Sequence, residues 1–114
     1  MTIATVGALQ AARAALLKFL QDYPQHERAA DVWFNLGESW AGTNGDSARV
    51  AYERVVDRFS DSPRAPAALY KLGLLAEQRG DVRGARVYYQ RVVAGYPRSE
   101  EADLARTKLQ ARDR

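Results

Sequence analysis

The sequence predicts an all-α fold, a right-handed superhelix of about six helices stacked as antiparallel pairs. Three observations carry that prediction. Between Ala65 and Ala76, small or apolar residues fall at Ala65, Leu69, Leu72, Gly73 and Ala76, which is one face of a helix. A second series, Ala85, Tyr88, Tyr89, Val92 and Tyr96, follows it, and Gly80-Asp81 divides the two with a helix-ending glycine and a helix-capping aspartate. The hairpin so defined recurs on both sides. Leu36-Gly37 returns as Leu72-Gly73, a step of 36. Tyr23-Pro24 returns as Phe59-Ser60 and again as Tyr96-Pro97, steps of 36 and 37. Ala12, Ala48 and Ala85 hold one matching small position, and Lys18-Phe19-Leu20, Arg54-Val55-Val56 and Arg91-Val92-Val93 hold matching basic–apolar–apolar triplets. A fixed period in this range means stacked supersecondary units that bury a continuous core together.

In chain order, residues 3–22 read as a helix of the second type in each pair, with no first helix before it. Ile3, Val6, Leu9, Leu16, Leu17 and Leu20 give it a broad apolar face, and Tyr23-Pro24 ends it because a residue before proline is pushed out of the helical region. Residues 27–41 form the next helix, with Ala29, Trp33, Leu36, Gly37 and Trp40 facing inward. Gly37 sacrifices about 1 kcal/mol of helix propensity relative to alanine. The loop Gly42-Thr-Asn-Gly45 and an Asp46 N-cap lead into residues 47–58, which bury Ala48, Tyr52, Val55 and Val56. Ser62-Pro63 is a helix start, with Ser62 as N-cap and Pro63 at the first helical position. Residues 63–78 and 82–95 make the next hairpin; Gly84, inside the first turn of 82–95, has no explanation in the pattern. Ser99-Glu100-Glu101 starts a final helix, 100–111, whose Arg106 and Gln110 replace apolar and glycine positions and suit a solubilising cap. The expected organisation is one domain over 1–114: an unpaired helix 3–22, repeats 27–58 and 63–95, and the terminal helix 100–111.

These residues resemble the tetratricopeptide repeat family, whose 34-residue unit spaces a large residue, Leu-Gly, an aromatic, a glycine turn, an alanine, a second aromatic and a proline. One unit supplies Leu69, Leu72, Gly73, Gly80, Ala85, Tyr89, Val92 and Pro97, with Ala76 replacing the usual aromatic. The preceding unit supplies Trp33, Leu36, Gly37, Trp40, Ala48, Tyr52 and Val55. The longer linkers, Tyr23–Ala29, Phe59–Ala65 and Tyr96–Ala102, are similar to those of bacterial cell-envelope members of the family, the Tol–Pal-associated periplasmic type and the lipoprotein type of the outer-membrane assembly machine.

The 46% apolar and 27% charged composition is that of an ordinary soluble protein. No apolar run approaches the roughly 20 residues of a membrane helix, and Met1–Leu20 lacks the basic leader, apolar core and small-residue cleavage site of a signal peptide. With no cysteine, disulfides, thiolate catalysis and most zinc sites are excluded. The net charge of +3 is uneven: residues 1–57 carry 5 basic and 7 acidic side chains, residues 58–114 carry 12 and 7. A solvated arginine-rich surface accounts for this, and a basic face for an acidic partner is the sharper alternative.

No catalytic pattern emerges. His26 stands alone, at the helix-start position that Ser62 and Ser99 occupy in the other linkers, without metal-ligand spacing. Glu100, Glu101 and Asp103 suit the dipole at a helix N-terminus. Ser39, Ser47, Ser60, Ser62 and Ser99 lack the glycine elbow of a nucleophile, and Gly42–Gly45 lacks the Lys-Ser/Thr of a phosphate loop. The expectation is a non-enzymatic protein with no cofactor, metal or small-molecule substrate.

The family resemblance implies a concave groove lined by the first helix of each pair. Carried over position by position, its residues are Asp31, Phe34, Asn35 and Glu38, then Ala67, Tyr70, Lys71 and Leu74, then Leu104, Thr107 and Lys108. Phe34 and Tyr70 fall at equivalent positions and read as two aromatic anchors stacked along the groove; the competing reading packs them against neighbouring helices. The family's carboxylate-gripping version needs Lys and Asn where this chain has Phe34 and Glu38, so the expected ligand is an apolar peptide or helix. The expected function is therefore a protein-interaction module, placed by the narrower resemblance in an envelope assembly or division complex in the periplasm, and otherwise in the cytoplasm. Two rivals remain: a nucleic-acid-binding helical repeat, which the acids Asp31, Glu38 and Glu77 oppose, and a scaffold that self-associates through its terminal helices.

Overall fold

The computed structural model describes residues 2–112. Met1, Asp113 and Arg114 of the expected 1–114 domain lie outside it, as do the side chains of Ile3, Ala4 and Arg112. The described chain is helical throughout: α1 (Ile3–Asp22), α2 (Ala29–Trp40), α3 (Gly45–Arg58), α4 (Arg64–Gln78), α5 (Val82–Gly95) and α6 (Glu100–Arg112). The tightest packing is within the hairpins α2–α3 and α4–α5. Each second helix then packs on the next first helix, α3 on α4 and α5 on α6, and α2, α4 and α6 touch in succession along one side. The stack measures 46 × 32 × 18 Å.

Two glycine–tyrosine contacts set the hairpin spacing. The Tyr52 ring lies on Gly37, so that a Cβ there would sit 2.6 Å from its Cε1; at Gly73 a Cβ would sit 2.3 Å from Cε1 of Tyr89. Both tyrosines are wholly buried. The alanines that open α2, α4 and α6 (Ala29, Ala65, Ala102) and those inside α3 and α5 (Ala48, Ala85) are wholly buried as well, because only a methyl group fits between backbones this close.

Helix starts follow local hydrogen bonding: α1, α5 and α6 begin where expected, and α2, α3 and α4 differ by one or two residues. Asn44, not Asp46, caps α3: its Oδ1 accepts from the backbone N–H of Ser47 at 3.1 Å, and the helix begins at Gly45 instead of 47. Asn44→Ala is expected to cost about 1 kcal/mol, measurable as a lower urea midpoint with an unchanged slope. α4 begins at Arg64, one residue after Pro63; Ser62 Oγ accepts from the Arg64 N–H at 3.0 Å. His26 does the same for α2, its Nδ1 accepting from the Arg28 N–H at 3.0 Å, so α2 starts at Ala29 and not at 27. Gly80 takes φ +78°, a left-handed turn that favours glycine. Asp81 caps α5 as expected. Its Oδ1 accepts from the Gly84 N–H at 2.9 Å, and the carboxylate leans into the space where a Cβ on residue 84 would meet Oδ2 at 2.2 Å.

Trp33 and Trp40 are half-buried and pack against both core clusters, on the inward side that the pattern predicts. They sit where α1, α2 and α3 meet, with Arg54 over Trp33 (5.7 Å) and Arg13 over Trp40 (5.3 Å) in cation–π contacts. α1 lies mainly against α2 through its second half, with Leu20 buried and Arg13 bonded to Ser39. Val6 and Leu17 of its expected apolar face remain exposed. On α6, Arg106 turns outward to Asp103 (2.8 Å) and to the carbonyl of Pro97 (3.1 Å), and Gln110 is exposed.

Candidate concave binding face

α2, α4 and α6 lie side by side, and three ion pairs bridge them. Arg64 Nε meets Asp31 Oδ1 at 3.0 Å, Lys71 Nζ meets Glu38 Oε1 at 3.5 Å, and Lys108 Nζ meets Glu77 Oε2 at 3.1 Å. All are half-exposed pairs, each worth well under about 1 kcal/mol to stability. Arg64, Lys71 and Lys108 are thus each paired with a carboxylate across neighbouring helices.

Of the eleven residues expected on the face, Glu38, Lys71 and Leu74 converge. They line one cavity of about 130 Å³ with Tyr52, Leu75 and Gln78. Tyr52 forms its floor and donates its hydroxyl to Glu38 Oε1. Asn35 is exposed nearby on α2, whereas Asp31 and Lys108 are committed to their ion pairs toward either end of the strip.

Phe34 departs most from its expected role. It is only 7% exposed, its ring packs on Tyr52 with centroids 5.6 Å apart, and the Arg64 guanidinium lies 4.9 Å above it. Tyr70 makes the matching contact with Tyr89 at 5.7 Å but stays half-buried. Each ring therefore packs on the tyrosine of its own hairpin. Phe34 is a core residue with no surface to offer a ligand, and Tyr70 keeps one edge on the face. Sequence reasoning did not place Arg64 here. The signal was available: Asp31–Arg64 and Glu38–Lys71 share a spacing of 33 between opposite charges on successive first helices.

Burial, followed by the hydrogen bond to Glu38 and that group's charge, pushes the Tyr52 hydroxyl far above the ordinary tyrosine value of 10.0. In the unfolded chain Tyr52 ionises near that value, so above it the unfolded state holds fewer protons than the folded one. The contribution is complete below about pH 10 and is lost as pH rises beyond it, at up to about 1.4 kcal/mol per pH unit for this group. Tyr52→Phe should remove that part of the slope, as read from urea melts at about pH 8 and about pH 11.

Among the described residues no group of three or more His, Cys, Asp or Glu side chains is placed to hold a metal ion, and no helix is long and apolar enough to cross a membrane. The fold and this face define a helical-repeat protein built of stacked hairpins with one side open. A tetratricopeptide repeat family model matches residues 40–100, from the end of α2 to the start of α6. The chain belongs to the tetratricopeptide repeat family. Repeats of this family generally mediate protein–protein interaction. No curated protein matches the chain.

Proposed function

We propose that the protein is a non-enzymatic interaction module that holds an extended or helical segment of a partner protein against the α2–α4–α6 face. The carrying observation is the cavity between Glu38 and Lys71. Leu74 and Leu75 give it apolar walls, its polar rim is already paired, and its roughly 130 Å³ suits one aliphatic side chain of a partner. Tyr70 and Leu74 present apolar surface beside it, and Asn35 supplies an amide that both donates and accepts hydrogen bonds to a peptide backbone. A small apolar anchor ringed by neutralised charge suits a peptide of mixed composition better than a polyanion.

The test is affinity capture from an extract of the expressing cells, with wild type and Leu74→Glu compared at matched folded concentration. Leu74 is half-exposed, so the substitution leaves the core intact, as circular dichroism verifies. A protein held by wild type and released by Leu74→Glu supports the reading. Identical captures by both baits contradict it.

A further inference from the structure

We infer that the slot between α1 and α2 docks an amphipathic helix of a partner protein that carries a carboxylate in its first turn and a small residue at its centre. This goes beyond the α2–α4–α6 face, of which only Asp31 and Asn35 also border the slot. The argument starts from register. Ala12, Leu16 and Phe19 of α1 correspond to Ala48, Tyr52 and Val55 of α3 and to Ala85, Tyr89 and Val92 of α5. The six residues on α3 and α5 are all wholly buried, because α2 and α4 cover them. On α1 the same positions are open: Ala12 is exposed, and Leu16 and Phe19 are half-buried. The gap is a cavity of about 420 Å³, floored by Leu16, Phe19 and Val32 and edged by Arg28, Asn35 and Asp31, whose carboxylate is paired with Arg64.

The molecule itself displays twice what fills such a gap, namely a helix with glycine against the central side chain (Gly37 on Tyr52, Gly73 on Tyr89). It also displays the charge that seats one. Arg64 binds Asp31, in the first turn of the preceding helix α2, and covers that helix's Phe34. Arg28 is the same residue one repeat earlier. It is exposed at the rim of the slot and, among the described residues, meets no carboxylate within 4.0 Å, the neighbouring Asp31 being taken by Arg64. An apolar floor beside an unpaired guanidinium selects an apolar-faced helix with an early acid over a neutral or basic one. The terminal helix of a second copy fits less well: α6 has Leu104 where α2 has Asp31, and Gln110 where α2 has Gly37.

A fluorescently labelled, end-blocked peptide spanning residues 28–41 of this chain is a suitable probe, because it carries Asp31, Phe34 and Gly37 in the required register. Titrated with the whole protein, it should show saturable anisotropy. Arg28→Glu, an exposed position that leaves the fold unchanged, should weaken binding at least tenfold, and an Asp31→Lys peptide should recover affinity for that variant. Leu16→Glu should abolish binding. Absence of saturable binding up to about 1 mM, a level at which even weak specific contacts register, overturns the inference. So does binding that neither variant alters. Sedimentation showing concentration-dependent self-association that Leu16→Glu removes would assign the slot to a second copy and overturn the commitment to a partner. None of these outcomes bears on capture at Leu74.

Discussion

Gly73→Ala is expected to lower stability by about 2 kcal/mol, although alanine is the better helix former. The added methyl group would lie 2.3 Å from Cε1 and 2.8 Å from both Cδ1 and Cζ of Tyr89. Those atoms belong to a ring with no solvent exposure, so it has no room to swing aside and the two helices must separate. Overpacking of this kind costs roughly 1–3 kcal/mol, here at the upper end, and the helix propensity of alanine returns up to about 1 kcal/mol. The net loss corresponds to roughly 8 °C in Tm for a domain of this size. Thermal melts of Gly73→Ala, Tyr89→Leu and the double variant complete the case. If the clash is the cause, the double variant is less destabilised than the sum of the singles, because leucine vacates the space that the methyl group enters.

Phe34→Ala is expected to cost about 3 kcal/mol of folding stability. The ring is 7% exposed and packs against Tyr52 and beneath the Arg64 guanidinium. Its removal leaves a cavity in the middle of the larger core cluster and withdraws the surface that orients the Asp31–Arg64 pair. Equilibrium urea unfolding measures the loss directly. A groove anchor would behave otherwise, losing partner affinity with stability nearly unchanged, so the two roles separate in one pair of experiments. Tyr70, with one edge open on the face, is expected to show the mixed behaviour.

The contrast between Phe34 and Leu36–Gly37 shows what could be read from the sequence and what could not. Leu36-Gly37 and Leu72-Gly73 recur at a fixed step, and a small residue inside a helix has few explanations besides close approach, so the hairpins and their spacing were legible. The step also linked His26 to Ser62 and Ser99, and His26 does cap the linker turn before α2. Phe34 was harder because the period gives its angular position but not the tilt of the neighbouring helix. The choice between groove and core depended on Tyr52 and Arg64, which arrive from two other helices. Asn44 and Asp46 are both good capping residues two positions apart, and only the path of the Gly42–Gly45 loop decides between them. Gly84 stays without a structural reason, since the atoms that a Cβ there would meet are the movable end of the Asp81 side chain. Local pattern thus determined the repeat, while contacts between helices determined which polar and aromatic residues remained available on the open side.

The most direct test of that open side is photo-crosslinking in living cells. A photoreactive phenylalanine analogue is placed at Leu74 in one variant and at Val87, exposed on α5, in another. If the α2–α4–α6 face holds a partner segment, Leu74 yields a discrete adduct with another protein and Val87 does not. Adducts at Val87 with none at Leu74 would move recognition to the outer helices and contradict the account.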